Sequence, residues 1–225
     1  MPKYVLYGGE FTRALITQMV MAEGGIDYEL REIDIVNNQH RREAFLKINP
    51  AGWVPALVTP EGAVLYETPA INLYLADHHH LVHLAPATDD PDRGRFLSAL
   101  FYLSGELEPA MKRYFYPHRY ALEPEDSEAM KHKALTDALE RLAVVNQRLN
   151  AGGPFHLGDR FSLVDLTLVY WAGCLEEDMT LEQYPAVRRC TQLTLGRPAL
   201  RQLEDELRWL VTTYRQRQTA GEGVQ

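Results

Sequence analysis

Cysteine is almost missing. Only Cys174 and Cys190 occur, both late in the chain, and no CxxC spacing exists. That excludes a disulfide framework and a CxxC redox pair, and it fits two unpaired thiols in a reducing cytoplasm. Long apolar runs are missing too. None approaches the roughly 18–20 residues that cross a bilayer, and Met1–Tyr4 opens without the apolar core of a signal peptide. No membrane partner is expected. Positive charge is scarce: 23 Lys and Arg against 31 Asp and Glu leave a formal −8, without a long basic stretch. Binding a phosphate backbone needs a clustered positive surface, so no nucleic-acid partner is expected. An anionic small molecule remains allowed, because a few local cations and helix N-termini suffice. No internal repeat is visible.

What is present suits two modest globular domains. Hydrophobic residues make up 46% and charged residues 24% of the chain, and 225 residues suffice for two real cores. Tyr4–Tyr7 is a short β-rich run closed by Gly8-Gly9. Leu15, Ile16, Met19 and Val20 recur at helical spacing until Gly24-Gly25. Ile26–Ile35 reads as a strand, and residues 38–48 read as a helix facing inward through Phe45 and Ile48. Two apolar runs flank Thr59-Pro60-Glu61-Gly62, the signal of a β-hairpin. A helix starts at Thr68-Pro69, with Thr68 as cap and Pro69 at its first position. The order β-α-β-α-β-β-α predicts a compact α/β domain over residues 1–83. Residues 84–93 shift to Pro, Asp, Thr and Ala and read as a linker. Residues 94–225 carry only helical signals: Phe96, Leu100, Leu103 and Leu107, then Leu135, Leu139, Leu142 and Leu149, then helices at about 162–176, 184–194 and 198–215. The polar tail from Gln216 to Gln225 reads as frayed.

Two segments carry chemistry. In Asn49-Pro50-Ala51-Gly52-Trp53-Val54-Pro55-Ala56-Leu57, a proline opens a strand. Were Val54–Pro55 cis, Val54 would turn its backbone outward to pair with an extended, peptide-like ligand; with a trans proline the segment is an ordinary loop. In Tyr66-Glu67-Thr68-Pro69-Ala70-Ile71, a helix N-terminus attracts a carboxylate, Thr68 adds a hydroxyl and Glu67 accepts from an ammonium group. A ligand with both an α-amino and an α-carboxyl group suits the pair, though a plain helix cap has the same letters.

In combination, NPAGWVPAL and YETPAINLYLAD resemble the glutathione S-transferase superfamily, whose members match NPxGxVPAL followed by an ES-type dipeptide. The resemblance covers the whole chain and is closest to cytosolic, bacterial-like members. It implies a thioredoxin-like α/β N-terminal domain and an all-α C-terminal helical bundle. It also implies conjugation of glutathione, as cosubstrate, to a small apolar electrophile, with no metal, in a cytoplasmic homodimer that serves detoxification. By the family's pattern Val54 holds the cysteinyl backbone of glutathione and Glu67 and Thr68 its γ-glutamyl end, with Arg13, Trp53 and Pro55 also among the glutathione-binding residues; Thr68 replaces the commoner Ser and keeps its hydroxyl. His40, beside Arg41, resembles a His-Lys pair that reaches the glycine carboxylate, and reads equally as a solvated helix start.

The thiolate is the nucleophile, and family members stabilise it with a hydroxyl. Tyr7 ends the first strand, where Tyr-type classes place theirs. Thr12 lies at the start of the first helix, where Ser- and Cys-type classes place theirs. Arg13 can assist either. Tyr7 reads also as a core residue and Thr12 as a cap, and a backbone N–H is a third possibility. Tyr102, Tyr114, Tyr116 and Trp171 are the candidates for the apolar substrate's pocket, with at least half of the wider aromatic cluster expected in the core. Ser162 and Asp165 have capping-box spacing, with Phe161 and Leu166 as the accompanying staple. That is a folding device. His78-His79-His80 and His83 read as a solvated helix end. A glutathione-fold binding protein without catalysis, and a glutathione-dependent disulfide reductase or peroxidase, are the alternative functions.

Overall fold

The computed structural model describes residues 3–9, 12–175, 182–203 and 206–207. The N-terminal α/β order holds: β1 (Tyr4–Gly8), α1 (Ala14–Gly24), β2 (Tyr28–Glu32), α2 (Glu43–Leu46), β3 (Ala56–Val58), β4 (Val64–Tyr66) and α3 (Thr68–His78). The sheet runs β2-β1-β3-β4. β2 is parallel to β1, whereas β3 is antiparallel to β1 and to β4. Side chains alternate across a strand, so Tyr7 faces one side with Ile33, Phe45 and Ala56. Leu6 and Leu57 face the other, where α1 and α3 pack against each other and bury Ile16, Met19, Ile71 and Leu75.

Local sequence explains the joints. A Cβ on Gly8 would lie 2.2 Å from that of Ala14, so only glycine lets β1 and α1 approach this closely. Gly25, at φ 60°, ends α1 in the left-handed region while the Ile26 N–H reaches back to Met21. β2 is shorter than the run Ile26–Ile35, because its pairing stops where β1 stops, at Gly8 opposite Glu32.

The second half is helical: α4 (Arg93–Tyr102), a π-helical turn (Leu103–Leu107), α5 (Glu108–Phe115), α6 (Ser127–Gly152), α7 (Leu163–Cys174) and α8 (Pro185–Leu195). Phe96, Leu100, Leu103 and Leu107 are all buried as their spacing predicts. In α6 the buried face is Ala134, Ala138, Leu142, Val145 and Leu149, and Leu135 and Leu139 are only half-buried. Small side chains, not the leucines alone, define that stripe. Every residue of α7 from Leu163 to Ala172 is buried, the mark of a central helix. Its start is the expected capping box: Ser162 Oγ accepts from the Val164 N–H, and Asp165 accepts from the Ser162 N–H at 2.8 Å.

Contacts divide the chain into two compact units, one of residues up to Ala87 with those from Leu195, the other Thr88–Thr194. A 3-10 turn (Pro198–Leu203) packs on α1 in the first unit, where Arg197 grips the buried Glu23 through two hydrogen bonds of 2.6 and 2.8 Å. Leu84 and Ala85, in the stretch read as a linker, are buried. The rest of the helix expected over 198–215, and the tail from Gln216, lie outside the described residues.

Candidate functional site

The sheet register gathers the candidate residues of the first unit at one edge. Tyr7 pairs with Ala56, and Ala56 with Tyr66. Carried one step further, that register sets Gly8, Pro55 and Glu67 side by side. The end of β1, the start of β3 and the end of β4 therefore meet, and α1 and α3 both begin there. Two helix N-termini at one edge make it electropositive for a small anion.

Each element contributes a different group. The Val54–Pro55 bond is cis. The Val54 N–H has no partner among the described residues, and its carbonyl lies 3.5 Å from Arg13 Nη2. Asn49, itself buried, shapes this loop: its amide donates to the Trp53 carbonyl at 2.7 Å and its oxygen accepts from the Ala51 N–H. Trp53 is 43% exposed, with the Arg41 guanidinium 4.1 Å from its ring centre and the buried His40 ring stacked at 6.4 Å. Arg41 also donates to the Ala51 carbonyl.

Glu67 adopts φ 70°, ψ 112°. A positive φ at a residue with a Cβ costs of order 1–3 kcal/mol, and such strain persists mostly at ligand sites. Its exposed carboxylate has no partner among the described residues. Glu67, not the expected Thr68, stands at the cap position of α3; Thr68 is its first residue and Pro69 its second, and the 3% exposed Thr68 has a hydroxyl that also lacks a partner among the described residues.

The two candidate hydroxyls differ in what they do with their protons. Thr12 is buried; its Oγ1 donates to the Gly9 carbonyl at 2.8 Å and accepts from the N–H groups of Gly9 and Ala14. Its proton closes the loop that starts α1. Tyr7 packs its ring in the cluster with Phe45, and its phenol oxygen accepts from Arg31 Nη1 at 2.8 Å. The phenol proton remains available, next to a cationic donor that strengthens it.

The aromatic candidates of the second unit engage separate neighbours. Tyr102, half-buried, donates to the Arg141 carbonyl at 3.4 Å and lies under Arg148. Tyr114 stacks edge-on with Phe115, and Tyr116 carries Arg119 at 4.2 Å. Trp171 is buried against Tyr170, so of the wider cluster fewer belong to the core than expected: Tyr102, Tyr114, Phe115 and Tyr116 are half-buried and Tyr120 is exposed. The histidines at the end of α3 make local contacts: His79 meets Tyr4 Oη at 3.0 Å and His78 stacks on Tyr74.

One group of possible metal ligands stands out, His156, Asp165 and Cys190, with ligand atoms within 4.8 Å of one another. All are buried, and the carboxylate already accepts from His156 N and Nδ1, Ser162 N and Oγ, and Cys190 Sγ. Its donors hold loops and helices together. Burial and the nearby carboxylate push the Cys190 thiol far up.

Sequence reasoning passed over Arg31, Asn49 and Asn72. Asn49 heads the NPAGWVPAL motif, and Asn72 stands four residues after Thr68 in an apolar run, which is the signal that would have found it.

Both halves of the chain are similar to known proteins. Residues 13–78 match the family model "Glutathione S-transferase, N-terminal domain" and residues 102–198 match "Glutathione S-transferase, C-terminal domain". A glutathione transferase structure from Methylococcus capsulatus is 32% identical, with 91% of this chain and 98% of that one covered at a TM-score of 0.78. A glutathione transferase homologue from Sulfitobacter, with bound glutathione, is 25% identical over 92% and 99% of the two chains at 0.83. The maleylacetoacetate isomerase of Pseudomonas aeruginosa is 27% identical over 85% of this chain and 90% of its own length.

Proposed function

The chain belongs to the glutathione S-transferase family, and from that premise we propose that it conjugates glutathione to a small, apolar electrophile. The observation that carries the reading is the pair Glu67–Thr68. A strained backbone presents an exposed carboxylate beside a buried hydroxyl that has no partner among the described residues, at a helix N-terminus. The γ-glutamyl end of glutathione supplies the matching ammonium and carboxylate. The Val54 N–H, without a partner among the described residues, suits the peptide-like cysteinyl backbone at the same edge, and Arg41, His40 and Trp53 suit the glycine carboxylate.

In this reading Tyr7 steadies the thiolate. Arg31 occupies a lone pair of the phenol oxygen, so the phenol donates its own proton toward sulfur, while Thr12 has its proton committed to Gly9. The sulfur attacks an electrophilic carbon, a C–S bond forms, and the leaving group departs with its electron pair. Holding both reactants together lowers the entropic barrier. Tyr102, Tyr114, Tyr116 and Trp171 are proposed to receive the apolar substrate. A cytoplasmic homodimer serving detoxification completes the proposal; no helix among the described residues is long and apolar enough to cross a membrane.

Turnover of glutathione with a generic aryl halide, with glutathione binding followed by calorimetry, tests the proposal. Binding without turnover of any electrophile class points to a docking protein. Reduction of a glutathione-mixed disulfide in place of conjugation points to a reductase.

A further inference from the structure

The inward face of α3 is apolar, with Ile71, Leu75 and Ala76 buried, yet Asn72 stands among them at 1% exposure. Neither its amide nitrogen nor its oxygen has a partner among the described residues. An apolar side chain of the same shape would remove that penalty, so a buried amide here calls for a function.

Thr68 lies four residues earlier, on the same face and one turn nearer the N-terminus. Residues so spaced are neighbours, about 5–6 Å between Cβ atoms, and helical side chains lean toward the N-terminus. By that spacing the Asn72 amide neighbours a second buried group without a partner among the described residues, the Thr68 hydroxyl, and no direct hydrogen bond joins the two. A hydroxyl has one proton and two lone pairs. If that proton turns inward to the Asn72 oxygen, none is left for a ligand. If Asn72 Nδ2 donates to it instead, directly or through one water, the proton faces outward.

We propose that Asn72 is a positioning residue for the ligand's carboxylate: with that carboxylate in place, its amide donates to Thr68 and aims the Thr68 proton at the anion. The proposal rests on reading Glu67–Thr68 as the γ-glutamyl site. It makes Asn72 a residue that lowers stability and raises affinity.

The test is calorimetric titration of glutathione, and of its analogue lacking the γ-glutamyl α-carboxylate, 4-aminobutyryl-cysteinyl-glycine. The proteins are wild type, Asn72→Leu, Thr68→Val and the double variant. Asn72→Leu should melt at or above the wild-type temperature and bind glutathione about tenfold more weakly. It should leave the analogue's affinity unchanged, and turnover at saturating glutathione within about twofold. In the Thr68→Val background it should add nothing, because the two act through one hydrogen bond. Asn72→Ser, which keeps a donor, should fall between. Equal weakening of both ligands, full additivity with Thr68→Val, or unchanged glutathione affinity where Thr68→Val loses it would each overturn the proposal while leaving the site reading intact. Thr68→Val with unaltered affinity would sink the site reading and this proposal with it. Should Asn72→Leu fail to fold, which itself contradicts the expected gain in stability, Asn72→Ala takes the same binding measurements.

Discussion

Replacing Asp165 by alanine should unfold this protein sooner without touching its ligand chemistry. The carboxylate is fully buried and accepts five hydrogen bonds: Ser162 N at 2.8 Å, Ser162 Oγ at 3.1 Å, His156 N at 3.0 Å, His156 Nδ1 at 2.8 Å and Cys190 Sγ at 3.4 Å. Loss of a helix cap costs about 0.5–2 kcal/mol, and each buried donor left unpaired costs about 1–3 kcal/mol. Ser162 and His156 would each lose a backbone partner. Partial relaxation brings the total to about 3–5 kcal/mol, comparable to breaking a buried charged pair. That is a large part of the 5–15 kcal/mol typical of a folded domain. In a chain of this size it lowers Tm by about 6–20 °C. Circular dichroism melts of wild type, Asp165→Ala and Asp165→Asn measure it; the asparagine keeps one acceptor and should lose less. Unchanged melting in Asp165→Ala, together with a collapse of glutathione affinity, would refute the assignment of this cluster to folding.

Other outcomes follow from the same geometry. Tyr7→Phe keeps the ring in its cluster and deletes one charge-assisted hydrogen bond, about 1.5–3 kcal/mol, so turnover should fall roughly ten- to a hundredfold. Its pH–rate profile should move up. Thr12→Val should instead lower Tm through the lost hydrogen bonds to Gly9 and Ala14 that close the loop before α1, with turnover near wild type; the reverse pattern would exchange their roles. Glu67→Ala should raise the apparent glutathione constant about tenfold or more and leave the electrophile's constant alone, and equal changes in both would mean a general structural role. Cys190 should resist alkylation at pH 8 until the protein unfolds, read by peptide mapping, because burial and Asp165 hold its thiol neutral. Above about pH 8.5 an unfolded thiol ionises and the folded one does not. The unfolded state then binds fewer protons, and stability should fall as pH rises.

The fold was legible because its signals are local. The hairpin at Thr59–Gly62, the Gly25 stop and the Ser162–Asp165 box each declare themselves within a few residues. The α6 stripe is as expected at Leu142 and Leu149 but lies one residue earlier in its first half, because alanine, weakly apolar in sequence, takes the buried positions 134 and 138. The site was half legible. Glu67 and Thr68 could be named from the turn that precedes a helix, but not that Glu67 would take a positive φ. Between Tyr7 and Thr12 the sequence offers two hydroxyls and no means of choosing. The difference lies in where each proton goes, to Gly9 for Thr12 and to no acceptor among the described residues for Tyr7, and that depends on a loop closing and on Arg31 arriving from the neighbouring strand. The spacing of Asn72 from Thr68 is written in the sequence, but that its amide lacks a partner among the described residues is a property of three dimensions.

The two margins of the sheet bear on how the protein behaves in a crowded solution. An unpaired strand is a template for another chain, and natural proteins blunt it with charge or brevity. β2 carries Glu29, Arg31 and Glu32 on largely exposed positions. β4 exposes Val64 and Tyr66 but is only three residues long, enough backbone for little more than one pair of intermolecular hydrogen bonds. Neither margin can seed a growing cross-strand stack, so concentrated samples should stay dispersed while folded. Aggregation, when it comes, should follow loss of the core, not recruitment at the sheet's edges.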